Sequence, residues 1–421
     1  MKIGVMSDLH LGHKEYGSAD RENDFYEQLI KCVKELNAQK SDIVIIAGDI
    51  FNKPNPSPEA IHKYLDIIGE LKADVIIAIK GNHTMLLRDD HYAVDNLVAD
   101  DSGFEGYFLL EDSTWESDVF ALSGGDMQFS KWKDANIVID GITYRSNTQI
   151  NEFIEVQKKL ASHVYDKNTF RILVLHQSFK EFCGFLNEEL SIKDIEYDPY
   201  DVIICGHIHA RLGTRINKKT YFLQPGSIER MNITEARDEE ENGKGIYIID
   251  TEQETIDFHQ IPCERRFFYD DIIFEHKEDV DNFFKKLQEQ IDNSDRQPII
   301  SYDFKVEPEL YQHVRDQVTD MSNILINNTT IHLKEEDIIS NEITETEIPN
   351  IVDAIKIYGE KHFSKEELQL AIDLFQHSDS LEDLKEIGDN YKEEKYSKET
   401  EELLQKNDIS DIIEYFDNLE V

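Results

Sequence analysis

Short, wholly apolar runs alternate with amphipathic segments through the first 230 residues. The runs IGVMSD, DIVIIAGD and DVIIAIKGNH read as strands buried on both faces, each closing on polar residues. Between the first two, Phe25, Leu29, Cys32, Val33 and Leu36 recur at helical spacing. Between the second and third, Ser57 and Pro58 precede the stripe Ile61, Leu65, Ile68 and Leu71. This pattern predicts a helix with a serine N-cap and proline at its first position. Strand–helix–strand order with fully apolar strands predicts an α/β fold whose sheets are covered by helices.

From about 115 to 150 the pattern turns strand-like, in WESDVFALSGG and ANIVIDGITYRS, and a helix follows near 151–164. The strands FRILVLH and DVIICGH come next, then KTYFLQPGSIER and GKGIYIIDTE. The acidic segment TEARDEEENG between the last two reads as a mobile loop. These elements place a first domain at 1–240. A smaller α/β domain is expected at 246–336, with strand RRFFYDDIIF, helix 278–292, strand PIISYDFKV, helix 307–317 and strand TTIHL. Residues 337–362 read as a linker. Over 363–421, Ser364 and Glu367 form a candidate capping box ahead of Leu368, Ala371, Ile372 and Phe375. Ile409, Ile412, Ile413, Phe416 and Leu419 make a second stripe. Helices this short rarely stand alone, so the tail must pack on itself or on a partner.

Composition narrows the picture. At roughly 150 residues per domain, 421 residues suggest two or three domains. No run reaches the roughly 18 apolar residues of a membrane span, and MKIGVMSDLH lacks the charged and apolar regions of a secretory signal. Cys32, Cys183, Cys205 and Cys263 fall at no metal-like spacing and read as reduced packing thiols, so a cytoplasmic protein is expected. The charge balance, 44 basic against 87 acidic residues for a net of −43, reads as a strongly solvated surface. It argues against a polyanion partner unless bound cations or a local basic patch intervene.

The candidate chemistry sits at the strand ends. Asp8 and His10 follow the first strand, Asp49 the second, Asn82 and His83 the third; His176 ends a later strand, and His207 and His209 end another. Singly, each is ordinary turn or cap chemistry. Together they share one topological position, the carboxyl ends of strands, where ligands bind in open α/β sheets. His207 and His209 can both face that crevice if the chain leaves strand geometry there, or if residues two apart share a strand face. Mixed imidazole and carboxylate donors without thiolate suit manganese, iron or zinc rather than a structural zinc site. The set exceeds the needs of one ion and suits two ions about 3.5–4 Å apart bridged by a carboxylate, an arrangement suited to phosphoester hydrolysis.

The ordered series D-x-H, G-D, G-N-H, H and G-H-x-H resembles the calcineurin-like metallophosphoesterase superfamily. MSDLHLGH, IIAGDIFNKPNPSPEA, ICGHIHA and QPGSIER narrow the likeness to the SbcD or Mre-eleven type of DNA double-strand-break repair nuclease. The resemblance is specific over 1–230 and only one of layout beyond. It implies a β-sandwich flanked by helices, a small α/β capping domain and a C-terminal helical tail that binds an ATPase. It implies two Mn²⁺ ions, one held by Asp8, His10 and His209, the other by Asn82, His176 and His207, with Asp49 bridging. His83 is then no ligand but faces the scissile phosphate and supports the leaving oxygen. Exonuclease and endonuclease cleavage of DNA, an SMC-like coiled-coil ATPase partner of the SbcC or Rad-fifty type, and a homodimer are implied as well. Two positions depart from the pattern: Asn52 stands where many relatives have His, and Thr84 where many have Asp after G-N-H. His13, close in sequence, is expected to be structural or supporting. The core motifs alone also fit an enzyme of the superfamily acting on small phosphodiesters, nucleotides or phosphoproteins, or a non-catalytic scaffold for an ATPase.

Overall fold

The computed structural model describes residues 1–84, 94–101, 106–116, 136–183 and 190–334. The expected linker and helical tail over 337–421 lie outside the described residues, as does WESDVFALSGG beyond 116.

The apolar runs form two six-stranded sheets. The first holds β1 (Lys2–Met6), β2 (Ile43–Ile46), β3 (Val75–Ala78) and β4 (Tyr107–Leu109), all parallel. The second holds β5 (Ser113–Glu116), β6 (Ile137–Ile142), β7 (Phe170–His176), β8 (Val202–Gly206), β9 (Leu212–Arg215) and β10 (Tyr221–Gln224), in the order β5-β6-β7-β8-β10-β9. Its four inner strands are parallel and its two edges antiparallel. β11 (Gly245–Asp250) runs antiparallel to β1, and β12 (Thr255–Gln260) antiparallel to β11, so both extend the first sheet. The boundary expected at 246 therefore falls inside that sheet.

Alternation of side chains across the strands builds three layers of core. Ile3, Val5, Ile43, Ile45, Val75 and Ile77 face Ile139, Ile172, Val174 and Ile204 across the sandwich. Val44, Ile46 and Ile76 point the other way, onto α1 (Ala19–Gln39) and α2 (Pro58–Gly69). The second sheet is covered by α4 (Ile150–Ala161), after the short α3 (Val94–Asp101). A single turn, α5 (Lys180–Cys183), precedes α6 (Ile233–Asn242). All five residues of the α1 stripe are buried. In α2, Ser57 caps Ala60 N–H at 3.1 Å, but the buried face is Ala60, Tyr64, Ile67 and Ile68, leaving Ile61 and Leu65 half-buried. The helix is rolled so that the Tyr64 hydroxyl reaches that of Tyr107, 2.7 Å away.

A third sheet carries β13 (Phe267–Phe274), β14 (Ile299–Val306), β15 (Ile326–Asn327) and β16 (Thr330–Leu333), all parallel pairs on β14. α7 (Lys277–Asp292) and α8 (Tyr311–Asp320) cover it through Val280, Phe284, Leu287, Ile291 and Val314. Asp24 on α1 ties the segments flanking this sheet to the first: it accepts from Arg21 at 2.5 Å, from Arg265 at 2.6 and 3.0 Å, and from Arg296 at 3.2 Å. Asp24, Arg21 and Arg265 are buried. The described helices include none long and apolar enough to cross a membrane.

Candidate metal centre

The carboxyl ends of β1, β2, β3, β7 and β8 open on one crevice between the sheets, and all eight residues singled out in the sequence meet there. His10 Nε2 lies 2.9 Å from His209 Nε2 and 3.9 Å from both Asp8 Oδ1 and Asp49 Oδ2. His176 Nε2 lies 3.2 Å from Asp49 Oδ2 and 3.0 Å from Asn82 Oδ1, and His207 Nδ1 lies 2.8 Å from the same Asn82 oxygen. Donor atoms of three trios fall within 4.8 Å of one another: Asp8–His10–His209, His10–Asp49–His83 and Asp8–Asp49–His176.

The backbone is bent to achieve this. Asp8, His10, Asp49 and His207 have φ of 51°, 44°, 49° and 89°, in the left-handed region that side chains rarely adopt. Strain of this kind, about 1–3 kcal/mol per residue, persists where surrounding structure enforces it, often at functional sites. β8 stops at Gly206, so the left-handed His207 rather than strand alternation presents both imidazoles. Gly48 has φ of 93°, and a methyl there would sit 2.2 Å from His176 Nδ1; one at Gly81 would sit 2.1 Å from Asp49 Oδ1.

Lone pairs converge here without enough hydrogens to separate them. His176 Nδ1 donates to the Ala47 carbonyl at 2.8 Å, which leaves Nε2 bare toward Asn82 Oδ1 and Asp49 Oδ2 unless the ring is protonated. His209 Nδ1 is likewise committed to the Glu235 carboxylate at 2.7 Å, so its Nε2 meets His10 Nε2 across 2.9 Å with at most one proton between them. A proton or a metal cation resolves each clash, and the donor set fits the cation. Electrostatics agree. Burial would lower the pKa of His176, but Asp49 outweighs it and pushes it up to about 9, so that a proton fills the position in the metal-free protein. Burial and neighbouring His176 bring His207 down to about 3; burial and His209 hold His10 well below its usual value. Both are thus neutral rings ready to coordinate. Burial opposes ionisation of Asp49, yet His176 and the other imidazoles hold its carboxyl well below the usual range. Burial raises Asp8.

His83 donates its backbone N–H to Asp49 Oδ1 at 2.9 Å, and its ring lies 4.7 Å from that of His10. Its Nδ1 donates to the Asn52 carbonyl at 2.8 Å, leaving Nε2 as the nitrogen able to exchange a proton. Asn52 thus acts through its backbone, and its side-chain oxygen is buried with no hydrogen-bond partner. Thr84 Oγ1 caps the Gly81 carbonyl at 3.3 Å. His13 packs edge-on against Phe25, with 5.2 Å between ring centroids.

One residue at the site was not foreseen. TEARDEEENG is no loop: Asn232 caps α6 by accepting from Glu235 N–H at 3.2 Å, and Glu235 is turned inward onto His209. Burial would raise its pKa, but the His209 hydrogen bond and the Lys244 ammonium hold it well below the usual carboxylate range. The sequence signal for the helix was Asn232 with Glu235 three residues on, the spacing of a capping box, but nothing in it showed that Glu235 turns inward.

The Calcineurin-like phosphoesterase family model matches residues 1–211, half of the chain, and the protein belongs to that family. It is a metal-dependent phosphoesterase, and its donor clusters suit the two-metal centre of that class. The chain is 28% identical over 363 residues to the DNA double-strand break repair protein Mre11 of Methanococcus maripaludis, covering 83% of this chain and 89% of that one. It is 26% identical over 396 residues to the protein of that name from Methanocaldococcus jannaschii, covering 93% and 98%. The Sulfolobus acidocaldarius protein of the same name is 22% identical, covering 90% and 96%.

Proposed function

We propose that this chain is a nuclease of DNA double-strand-break repair that hydrolyses DNA phosphodiesters with two Mn²⁺ ions. The observation that carries the reading is the length of the likeness: relatives named for break repair align over nearly the whole of both chains, well beyond the phosphoesterase region. Asp8, His10 and His209 would hold one ion and Asn82, His176 and His207 the other, with Asp49 shared by both sets. The pair, when bound, polarises the phosphoryl oxygen and lowers the pKa of attacking water. His83 stands at the rim as general acid, its ring oriented by the Asn52 carbonyl so that Nε2 meets the leaving oxygen. The sheet β13–β16 is the core of the capping domain, and Asp24 docks it through Arg265 and Arg296. An SMC-like ATPase of the Rad-fifty type, gripped by the residues after 363, and a second copy of this chain complete the working assembly.

The test is Mn²⁺-dependent cleavage of single- and double-stranded DNA, with and without the ATPase, by wild type, His83→Ala and His207→Ala. His83→Ala should still bind metal and lose cleavage by about 10²–10⁴-fold. His207→Ala should lose cleavage and one of the two ions. Equal activity in all three proteins would refute the site.

A further inference from the structure

The site histidines are not supported alike. His176 Nδ1 rests on a neutral carbonyl, that of Ala47, and His10 Nδ1 is buried with no partner. Among the described residues, His209 is the one site histidine whose outer nitrogen meets a carboxylate. Glu235 Oε1 takes that hydrogen bond, while Oε2 receives Ser227 Oγ at 2.9 Å, Lys244 Nζ at 3.2 Å and Met231 N–H at 3.2 Å. Lys244 is itself buried and donates to the His209 carbonyl at 2.9 Å and to Ser227 Oγ at 2.7 Å. One buried ion pair therefore grips His209 at both its ring and its backbone. Asp8 Oδ1 lies 3.8 Å from His209 Nε2 and 3.9 Å from His10 Nε2 but also 4.0 Å from His176 Nε2, so it is Glu235 that sets the two positions apart.

We infer that Glu235 is a positioning residue that makes the two metal positions unequal, rendering the one formed by Asp8, His10 and His209 the tighter. The inference rests on the two-metal reading above. A carboxylate on the outer nitrogen fixes the ring and its tautomer and makes the inner nitrogen more basic, and losing such a partner typically weakens metal binding about 10–100-fold. Lys244 offsets part of the charge but leaves the geometric effect intact. The protein should accordingly fill in order, first beside His209 and then beside His207.

The test is calorimetric titration of Mn²⁺ into the metal-stripped full chain. Wild type should bind in two steps. Glu235→Gln, which keeps shape and loses charge, should weaken the tighter step about 10–100-fold and leave the other within about twofold. His207→Ala should abolish the weaker step and spare the tighter. A Glu235→Gln/Lys244→Met double variant removes the ammonium that the single variant leaves buried and unpaired, and should behave likewise if the single variant folds poorly. Two unaltered steps in folded Glu235 variants, or equal weakening of both, would overturn the inference and leave the two-metal reading standing. No binding by wild type would overturn that reading itself.

Discussion

Gly48→Ala puts the metal centre under a strain whose size follows from the structure. The new methyl would lie 2.2, 2.8 and 2.9 Å from Nδ1, Cγ and Cε1 of His176, where ordinary contact is about 3.5–4 Å. Neither side can yield cheaply. The backbone is pinned by the hydrogen bond from Asp8 N–H to the Gly48 carbonyl at 3.1 Å, and the fully buried ring is tied to Ala47 at 2.8 Å. An L-residue at φ of 93° costs about 1–2 kcal/mol. Overpacking adds about 1–3 kcal/mol, and displacing the ring sacrifices a hydrogen bond of about 1 kcal/mol. The metal-free variant should therefore lose about 3–6 kcal/mol to urea unfolding, and its metal affinity should fall because His176 no longer faces Asp49. Gly69→Ala is the control, since nothing lies within 4 Å of its methyl; it should change stability by less than about 1 kcal/mol. A Gly48→Ala protein with the unfolding midpoint and metal affinity of wild type would refute the reasoning.

Two further outcomes follow from buried charge. His176 titrates near 9 in the metal-free protein, above the ordinary 6.5, so at pH 7 a bound proton must leave before metal can enter. Metal affinity should rise up to about tenfold per unit between pH 7 and 8 with proton release on binding, while the stability His176 lends the metal-free fold is full below about 6.5 and fades as pH climbs through 9; titrations in buffers of different ionisation enthalpy measure that proton. Asp24→Ala would leave Arg265 without its carboxylate partner and Arg21 with Glu15 and Glu229 alone, at a cost of about 3–5 kcal/mol. Scanning calorimetry should then resolve a separate, earlier transition for the β13–β16 unit, and a single unshifted transition would contradict that docking role.

Much of this protein was legible in its sequence because a strand buried on both faces has one signature, an unbroken apolar run, and must end in polar residues. That is why Asp8, Asp49, Asn82 and His176 could be placed at one edge before any contact was known. Residues whose role depends on a distant partner left no such mark. Glu235 lies among like charges, and only His209 across the crevice explains its burial. Asp24 and Arg21 look like the solvated face of an amphipathic helix until Arg265 arrives from 241 residues away. β12 escaped for a similar reason: as an edge strand it alternates Ile256 and Phe258 with exposed polar residues, a weaker pattern than its buried neighbours.

The central claim, that strand ends from both sheets build one two-ion centre, is tested most directly by anomalous scattering from a Mn²⁺-soaked crystal. The account predicts two peaks about 3.5–4 Å apart. One should lie among Asp8, His10 and His209 and the other among Asn82, His176 and His207, with Asp49 touching both. A single peak, or peaks away from these side chains, would contradict it.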